Sequence, residues 1–301
     1  MGYMMSNVED IRNEFKKKKC LKDVKDFLDI RASRHNYYFH YTTVTALKNM
    51  LESKTLYLSL GRTMNDLLEI QKIAPEKWNR LYVASFSYTA NESVALWHIY
   101  GNPLSDAIRI QFSRAAIKNM LKKAKENLTC KSVNNGEVYE IYKIKSIKLV
   151  DIAYLQNSQK SLKWNRTFLT DSFCKDLSQI NSYKELAGYI KNIAWEYEVE
   201  TRFLVELDGE ETDTFPEKIK IDAENLWKGA KILCGPCLPA ENLKKQMNEF
   251  FEKNEDAIHI DVDNITNSSL LNRVHFRPLC MNCKAEIDCN FKSERKVKDN
   301  A

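Results

Sequence analysis

Glycine and proline are scarce in this chain, eight and six among 301 residues. Backbone loops that cradle phosphate depend on glycine, so a glycine-built nucleotide site is not expected. No P-loop, no dinucleotide Gly-x-Gly-x-x-Gly and no His-Glu-x-x-His is present. Any nucleotide must therefore be held by side chains and strand edges. No apolar run approaches the roughly 20 residues of a membrane helix. No apolar signal core follows Met1-Gly2-Tyr3-Met4-Met5-Ser6, so a cytoplasmic location without membrane association is expected. The eight cysteines are scattered rather than framework-like, the pattern of reduced thiols. A strong excess of one charge sign is also missing. The net charge of +5 permits anionic ligands or nucleic acid without arguing for them.

What is present is an ordinary globular composition, 44% hydrophobic and 29% charged, able to bury a sizeable core. Residues 7–31 have helical spacing and read as part of an N-terminal helical arm, 1–35. The main domain, 36–275, opens on the aromatic strand Tyr37-Tyr38-Phe39-His40-Tyr41. Thr42 or Thr43 can cap a helix with the stripe Val44, Leu47, Met50 and Leu51. Thr55–Leu60 and Leu81–Tyr88 read as strands. Asn91 is the expected cap of a short helix carrying Trp97 and Tyr100, with Gly101 closing it. Ala107–Phe112 is a strand, and Ser113 caps the next helix. Strand pattern follows over 138–152 and helix pattern over 167–194. Asp208-Gly209 predicts a hairpin turn into Lys218–Ile221. Lys231–Cys234 is a strand, 240–253 a helix, and Ile258–Ile260 a last short strand. Residues 276–301 form a tail containing cysteine and lysine. The mixture lacks regular βαβ alternation. It points to an α+β fold, a mixed, mainly antiparallel sheet with flanking helices.

The richest stretch is Trp195-Glu196-Tyr197-Glu198-Val199-Glu200-Thr201-Arg202-Phe203. As a strand it puts Glu198, Glu200 and Arg202 on one face and Tyr197, Val199 and Phe203 on the other. The charged face is either a solvated ladder or the floor of a polar site. His40 sits among aromatics, where a structural role competes with a ligand role. Ser85-Phe86-Ser87 puts two hydroxyls on one face, and no Gly-x-Ser-x-Gly elbow makes either a nucleophile. Trp97 and Tyr100, three apart on a helix, are either core packing or a platform for a planar ring. Cys234-Gly235-Pro236-Cys237 resembles a thioredoxin motif in the wrong context. With Cys280 and Cys283 it could instead build a structural zinc site. Asp66, Glu69, Glu198 and Glu200 are candidate metal ligands if the protein is a nuclease.

The ordered set of segments resembles a large bacterial family of domains of unknown function often found near phage-defence genes. The segments are Phe39-His40-Tyr41-Thr42-Thr43, Leu56-Tyr57-Leu58-Ser59, Asn65-Asp66 with Glu69, Ser85-Phe86-Ser87, Leu96-Trp97 with Tyr100-Gly101, Tyr197-Glu198-x-Glu200-x-Arg202 and Leu233-x-Gly235-Pro236. The resemblance covers about 36–275; the thiols of Cys234 and Cys237 depart from it. The opening segment and the order of polar residues are also similar to ADP-ribosyltransferase-type folds. That likeness implies NAD as substrate. It makes Glu200 the carboxylate facing the reacting ribose and Glu198 the group that orients or deprotonates the acceptor. His40, Tyr41, Ser85, Ser87, Trp97, Tyr100 and Arg202 would hold the nucleotide. The reading expects one cleft lined by His40 and Glu200. Its rivals are a non-catalytic module binding a ligand or nucleic acid, and the metal-dependent nuclease.

Overall fold

A computed structural model describes residues 21–64, 76–127, 129–132, 140–155, 186–209 and 214–271. In chain order its elements are α1 (Leu21–Ala32), β1 (Tyr37–Thr43), α2 (Val44–Ser53), β2 (Thr55–Leu60), β3 (Leu81–Ser87), α3 (Val94–Tyr100), β4 (Ala107–Ser113) and α4 (Arg114–Asn127). They continue with β5 (Thr129–Ser132), β6 (Ile141–Asp151), β7 (Ala153–Leu155), β8 (Ile190–Asn192), β9 (Glu200–Leu207), β10 (Lys218–Asp222), β11 (Lys231–Cys234), α5 (Ala240–Lys253) and β12 (Ile265–Thr266). The fold is α+β; its ten-stranded sheet is antiparallel apart from the β11–β12 pair, and β7 and β8 form a separate parallel pair. No described helix is long and apolar enough to cross a membrane.

Six strands close into a barrel in the order β3–β2–β10–β5–β6–β9, with β9 returning to β3. The alternating residues of β2 and β3 explain the closure. Leu56, Leu58, Leu60, Tyr82, Ala84 and Phe86 all point inward, joined by Phe203, Val205 and Leu207 of β9. Burying a side chain of this size is worth about 1.5–3 kcal/mol, so a ring of such strands closes on its apolar face. The remaining strands, β1, β4, β11 and β12, leave the barrel as an extension, and the main core continues along it.

The barrel and the extension meet on β3. One edge of β3 pairs with β9 throughout. The other edge is shared: Tyr82 and Val83 pair with β2, while Ser87 pairs with Phe39 of β1. Ser85 lies in the fork between them. Its carbonyl accepts a hydrogen bond of 2.9 Å from Nδ1 of His40. Burial lowers the His40 pKa against the opposing pull of this bond, and the neutral ring donates it as the Nδ1–H tautomer. A histidine thus supplies the donor that neither strand can provide there.

Local signals held where they were local. Thr43 Oγ1 caps α2 at the Ala46 amide, and Val44, Leu47, Met50 and Leu51 are all buried. Ser113 caps α4. Other expectations are corrected. The cap of α3 is Ser93, not Asn91, because its Oγ reaches the Leu96 amide. Asp208-Gly209 does not turn a hairpin into β10. Both edges of β9 are filled by β3 and β6, and β10 pairs with β2 and β5 instead. Ile258–Ile260 is not a strand; the last strand among the described residues is β12. Residues 186–194 are turn, strand and 3-10 helix rather than α-helix, and 167–185 lie outside the described residues.

Helix α1, expected in the N-terminal arm, is built into this unit. Val24 and Leu28 pack with Trp78, Leu81, Val83, Val150 and Leu204 on the outer side of the barrel. Just beyond the helix, a polar clasp closes on Asp151 of β6, which is fully buried. It accepts from Arg31 Nη1, from His35 Nε2 at 2.8 Å and from Thr201 Oγ1 at 2.5 Å. The His35 ring stacks on Tyr88 at 4.2 Å. Removing this carboxylate strands a buried guanidinium. Asp151→Ala is expected to lower unfolding free energy by about 3–5 kcal/mol, read as a lower urea midpoint. A loss under about 1 kcal/mol, the range of exposed pairs, would rule out the clasp as a stabilising element.

Candidate active site

Directly opposed residues in an antiparallel pair share a face. Ser85 opposes Arg202 and Ser87 opposes Glu200. Phe39 opposes Ser87, and Tyr41 opposes Arg109. Alternation therefore gathers Glu200, Arg202, Ser85, Ser87, Tyr41 and Arg109 on the outer face. Two apolar patches flank them. One is the cluster under α1; the other is Tyr41, Leu96, Trp97 and Ala107.

His40 is one residue out of step. It opposes Ile110 and its ring lies 5.5 Å from Phe86, so it faces the inner core. His40 and Glu200 line no common cleft, and the expectation that they would is corrected. The alternation of β1 decides this: Tyr41, the neighbour, takes the outer face.

Glu198 is also placed differently from expectation. It ends a 3-10 helix spanning Ile193–Glu198, and β9 begins only at Glu200. Between them Val199 adopts φ 47°, ψ 58°. A β-branched residue in this left-handed region is an outlier costing about 1–2 kcal/mol. The twist turns both carboxylates to one cation. Lys191 Nζ on β8 lies 2.5 Å from Glu198 Oε2 and 3.4 Å from Glu200 Oε2. Tyr197, which alternation would put beside Phe203 on the face away from the charges, is exposed, whereas Phe203 is buried.

Around these charges the hydrogen bonds are dense. Arg202 Nε donates to Glu200 Oε1 at 2.8 Å and its Nη2 to Oε2 at 3.2 Å. Ser85 Oγ donates to Glu200 Oε1 at 2.5 Å, and Tyr100 OH to Glu198 Oε1 at 2.8 Å. The Glu200 amide donates to Tyr154 OH at 2.8 Å. Lys191 also lies 4.7 Å from the Trp195 ring centre. Glu198, Glu200, Lys191 and Arg202 are each at most 3% exposed. The charged row is therefore no solvated ladder.

The two carboxylates are driven apart. Burial pushes Glu200 up, but Arg202 and Lys191, with hydrogen bonds from Arg202 and Ser85, outweigh it and hold its pKa at about 2. Glu198 is raised by burial and by the charge of Glu200, which Lys191 and Tyr100 only partly offset. Lys191 loses charge preference through burial and regains more from Glu200 and Glu198, so it stays a cation. One carboxylate that remains ionised beside one more basic carboxylate is a division of labour seen in acid–base sites.

Other candidates fall into place one by one. Ser87 is buried and weakly bonded to the Val199 carbonyl at 3.5 Å. Tyr41 is buried, its hydroxyl accepting from the Ser93 amide. Trp97 is fully buried, edge-on to Tyr41 at 4.8 Å, with its indole N–H on Glu92. It packs the core and offers no stacking platform, which corrects that expectation. Tyr100 is half-buried at the rim. The Cys234 thiol is buried and pushed up to about 12, against a redox role; Cys237 is half-buried, and Cys280 and Cys283 lie outside the described residues. Asp66 and Glu69 lie outside them too. Among the described residues no cluster of three His, Cys, Asp or Glu could hold a metal. Lys191, Tyr154 and Arg109 were missed by sequence reasoning.

Comparison of the chain with protein-family models, curated proteins and solved structures finds no match. The geometry carries the argument.

Two outcomes test it. Val199→Gly is expected to leave stability unchanged or raise it by about 1 kcal/mol, because glycine adopts φ 47° without the Cβ clash. An ordinary valine at a strand start would lose stability on the same change. Glu200 contributes stability that is full above its usual value of 4.5 and is lost as pH falls through about 2. Glu200→Gln should therefore flatten the fall in stability over that window, measured by denaturant titration at successive pH values. A variant with the wild-type slope would show that Glu200 is not held ionised by its neighbours.

Proposed function

We propose that this protein cleaves the N-glycosidic bond of a nicotinamide nucleotide, NAD being the expected substrate, by hydrolysis or by ADP-ribosyl transfer. The observation that supports it most is the strained Glu198-Val199-Glu200 unit, which aims two carboxylates of unlike basicity at one lysine. Backbone strain of this kind clusters at functional sites. Glu200, kept ionised by Arg202, suits the face of a sugar that gains oxocarbenium charge. The C1′–N bond breaks and neutral nicotinamide departs with the bonding pair. Water or another acceptor gives a lone pair to C1′, and its proton passes to Glu198. Tyr100 orients Glu198 from the rim, and Ser85 orients Glu200. His40 takes no part. The His40–Glu200 cleft on which the likeness to ADP-ribosyltransferase-type folds depended is thus lost, that likeness no longer supports the reading, and the reading rests on the carboxylate pair alone. The family resemblance adds its setting, bacterial conflict or phage defence.

A second reading has its own observation. The four charges are nearly shut from water and satisfy one another, as a structural lock would. The protein is then a binding module for a ligand or nucleic acid. Metal-dependent nuclease chemistry is less favoured, because Glu198 and Glu200 already hold Lys191 and Arg202.

Nicotinamide release from millimolar NAD, followed by chromatography, separates these readings. Catalysis predicts release by the wild type and a loss of about 10²–10³-fold in Glu200→Gln. Glu198→Gln should lose the rise in rate with pH that the wild type shows. No release and no thermal shift with NAD in the wild type would leave the binding module.

A further inference from the structure

Arg109 is a buried cation with no acidic partner among the described residues. It lies on β4 on the same outer face as Glu200, at 8% exposure. No described carboxylate forms an ion pair with it, although buried guanidinium groups ordinarily demand one. Only one corner is engaged. Nη1 donates to the Ala90 carbonyl at 2.9 Å and to Tyr41 OH at 3.4 Å. The group lies 4.7 Å from the Phe39 ring centre and 5.7 Å from that of Tyr41. Nε is buried without a partner, and the bonds that Arg109 makes among the described residues both leave from Nη1, not Nη2. Nε and Nη2 form the side-on edge of the guanidinium, the edge that takes two oxygens of one anion at once.

We infer that this edge of Arg109 is an oxyanion site that receives the phosphate oxygens of a diphosphate-bearing nucleotide. The two aromatic rings hold the guanidinium flat. The bonds from Nη1 fix its rotation, so the edge is oriented in advance, while Nε is closed to solvent and the anion must displace what covers it. The row Arg109, Tyr41, Ser85, Arg202 crosses four adjacent strands on one face, if the β1–β3 pairing is carried two residues beyond Phe39 and Ser87. At about 4.8 Å per strand, Arg109 is at least about 14 Å from Arg202 along the sheet, and farther where β1 and β3 part at the fork. That span suits a ligand with a sugar at one end and a diphosphate further along. Naming the ligand a nucleotide rests on the glycosidic-bond reading above; the oxyanion site does not.

The experiment is titration calorimetry with inorganic pyrophosphate and with ADP-ribose, on the wild type, Arg109→Lys and Glu200→Gln. Lysine keeps the charge and loses the two-point edge. The expected result is pyrophosphate binding by the wild type, weakened roughly tenfold or more in Arg109→Lys and unchanged in Glu200→Gln. ADP-ribose should be weakened by both substitutions. Pyrophosphate binding that is absent in the wild type, or equal in Arg109→Lys, overturns the site. If pyrophosphate behaves as expected and ADP-ribose binds no better, the oxyanion site stands and the nucleotide reading falls. Should Arg109→Lys fail to fold, Phe39→Leu removes the ring beneath the guanidinium at nearly constant volume. Unchanged pyrophosphate affinity in that variant overturns the proposal as well.

Discussion

Strand β3 has two edges and three partners. Full pairing with β9 closes the barrel, and the opposite edge is divided between β2 and β1. Two structural demands meet in its seven residues. The inner side chains Tyr82, Ala84 and Phe86 must fill a barrel. The outer ones, Ser85 and Ser87, must serve a polar face. The division leaves one carbonyl unpaired at Ser85, and His40 satisfies it. A histidine that looked chemical in the sequence thus answers a backbone problem. Its neighbour Tyr41 reaches the polar face, because the strand period of two allows no alternative.

The charged quartet illustrates how burial decides chemistry. Two carboxylates beside each other in a solvated ladder would titrate alike. Enclosed with Lys191 and Arg202, they diverge, since Arg202 and Ser85 serve only Glu200. The cost is visible in the backbone at Val199. A single left-handed residue brings Glu198, from a 3-10 turn, and Glu200, from a strand, to the same ammonium. A continuous strand would have left them about 7 Å apart.

Much of the architecture was legible because it is locally encoded. Thr43 and Ser113 announce helix starts, and the alternation of Thr55–Leu60 and Leu81–Ser87 announces strands. Barrel closure was not legible, because it depends on which edges meet across more than a hundred residues. The false hairpin after β9 has the same origin: Asp208-Gly209 is a good turn, but a turn cannot choose its partner strand. In the site, Glu198, Glu200, Arg202, Ser85 and Tyr100 were readable as a set. Lys191 was not, since a lone lysine normally reads as surface. Arg109 was not legible either: Arg109 and Gln111 alternate with Ile108, Ile110 and Phe112 as in any half-buried strand, and only the structure shows the guanidinium enclosed.

The fork on β3 also has a mechanical consequence. Arg109 belongs to the open four-strand extension, whereas Glu200 and Arg202 belong to the closed barrel. A closed ring resists shear, and the extension is tied to it by the Phe39–Ser87 pair, the His40–Ser85 bond and a core that runs through both. That shared packing opposes any change in the span between guanidinium and carboxylates, because a close-packed interior cannot open without losing contacts.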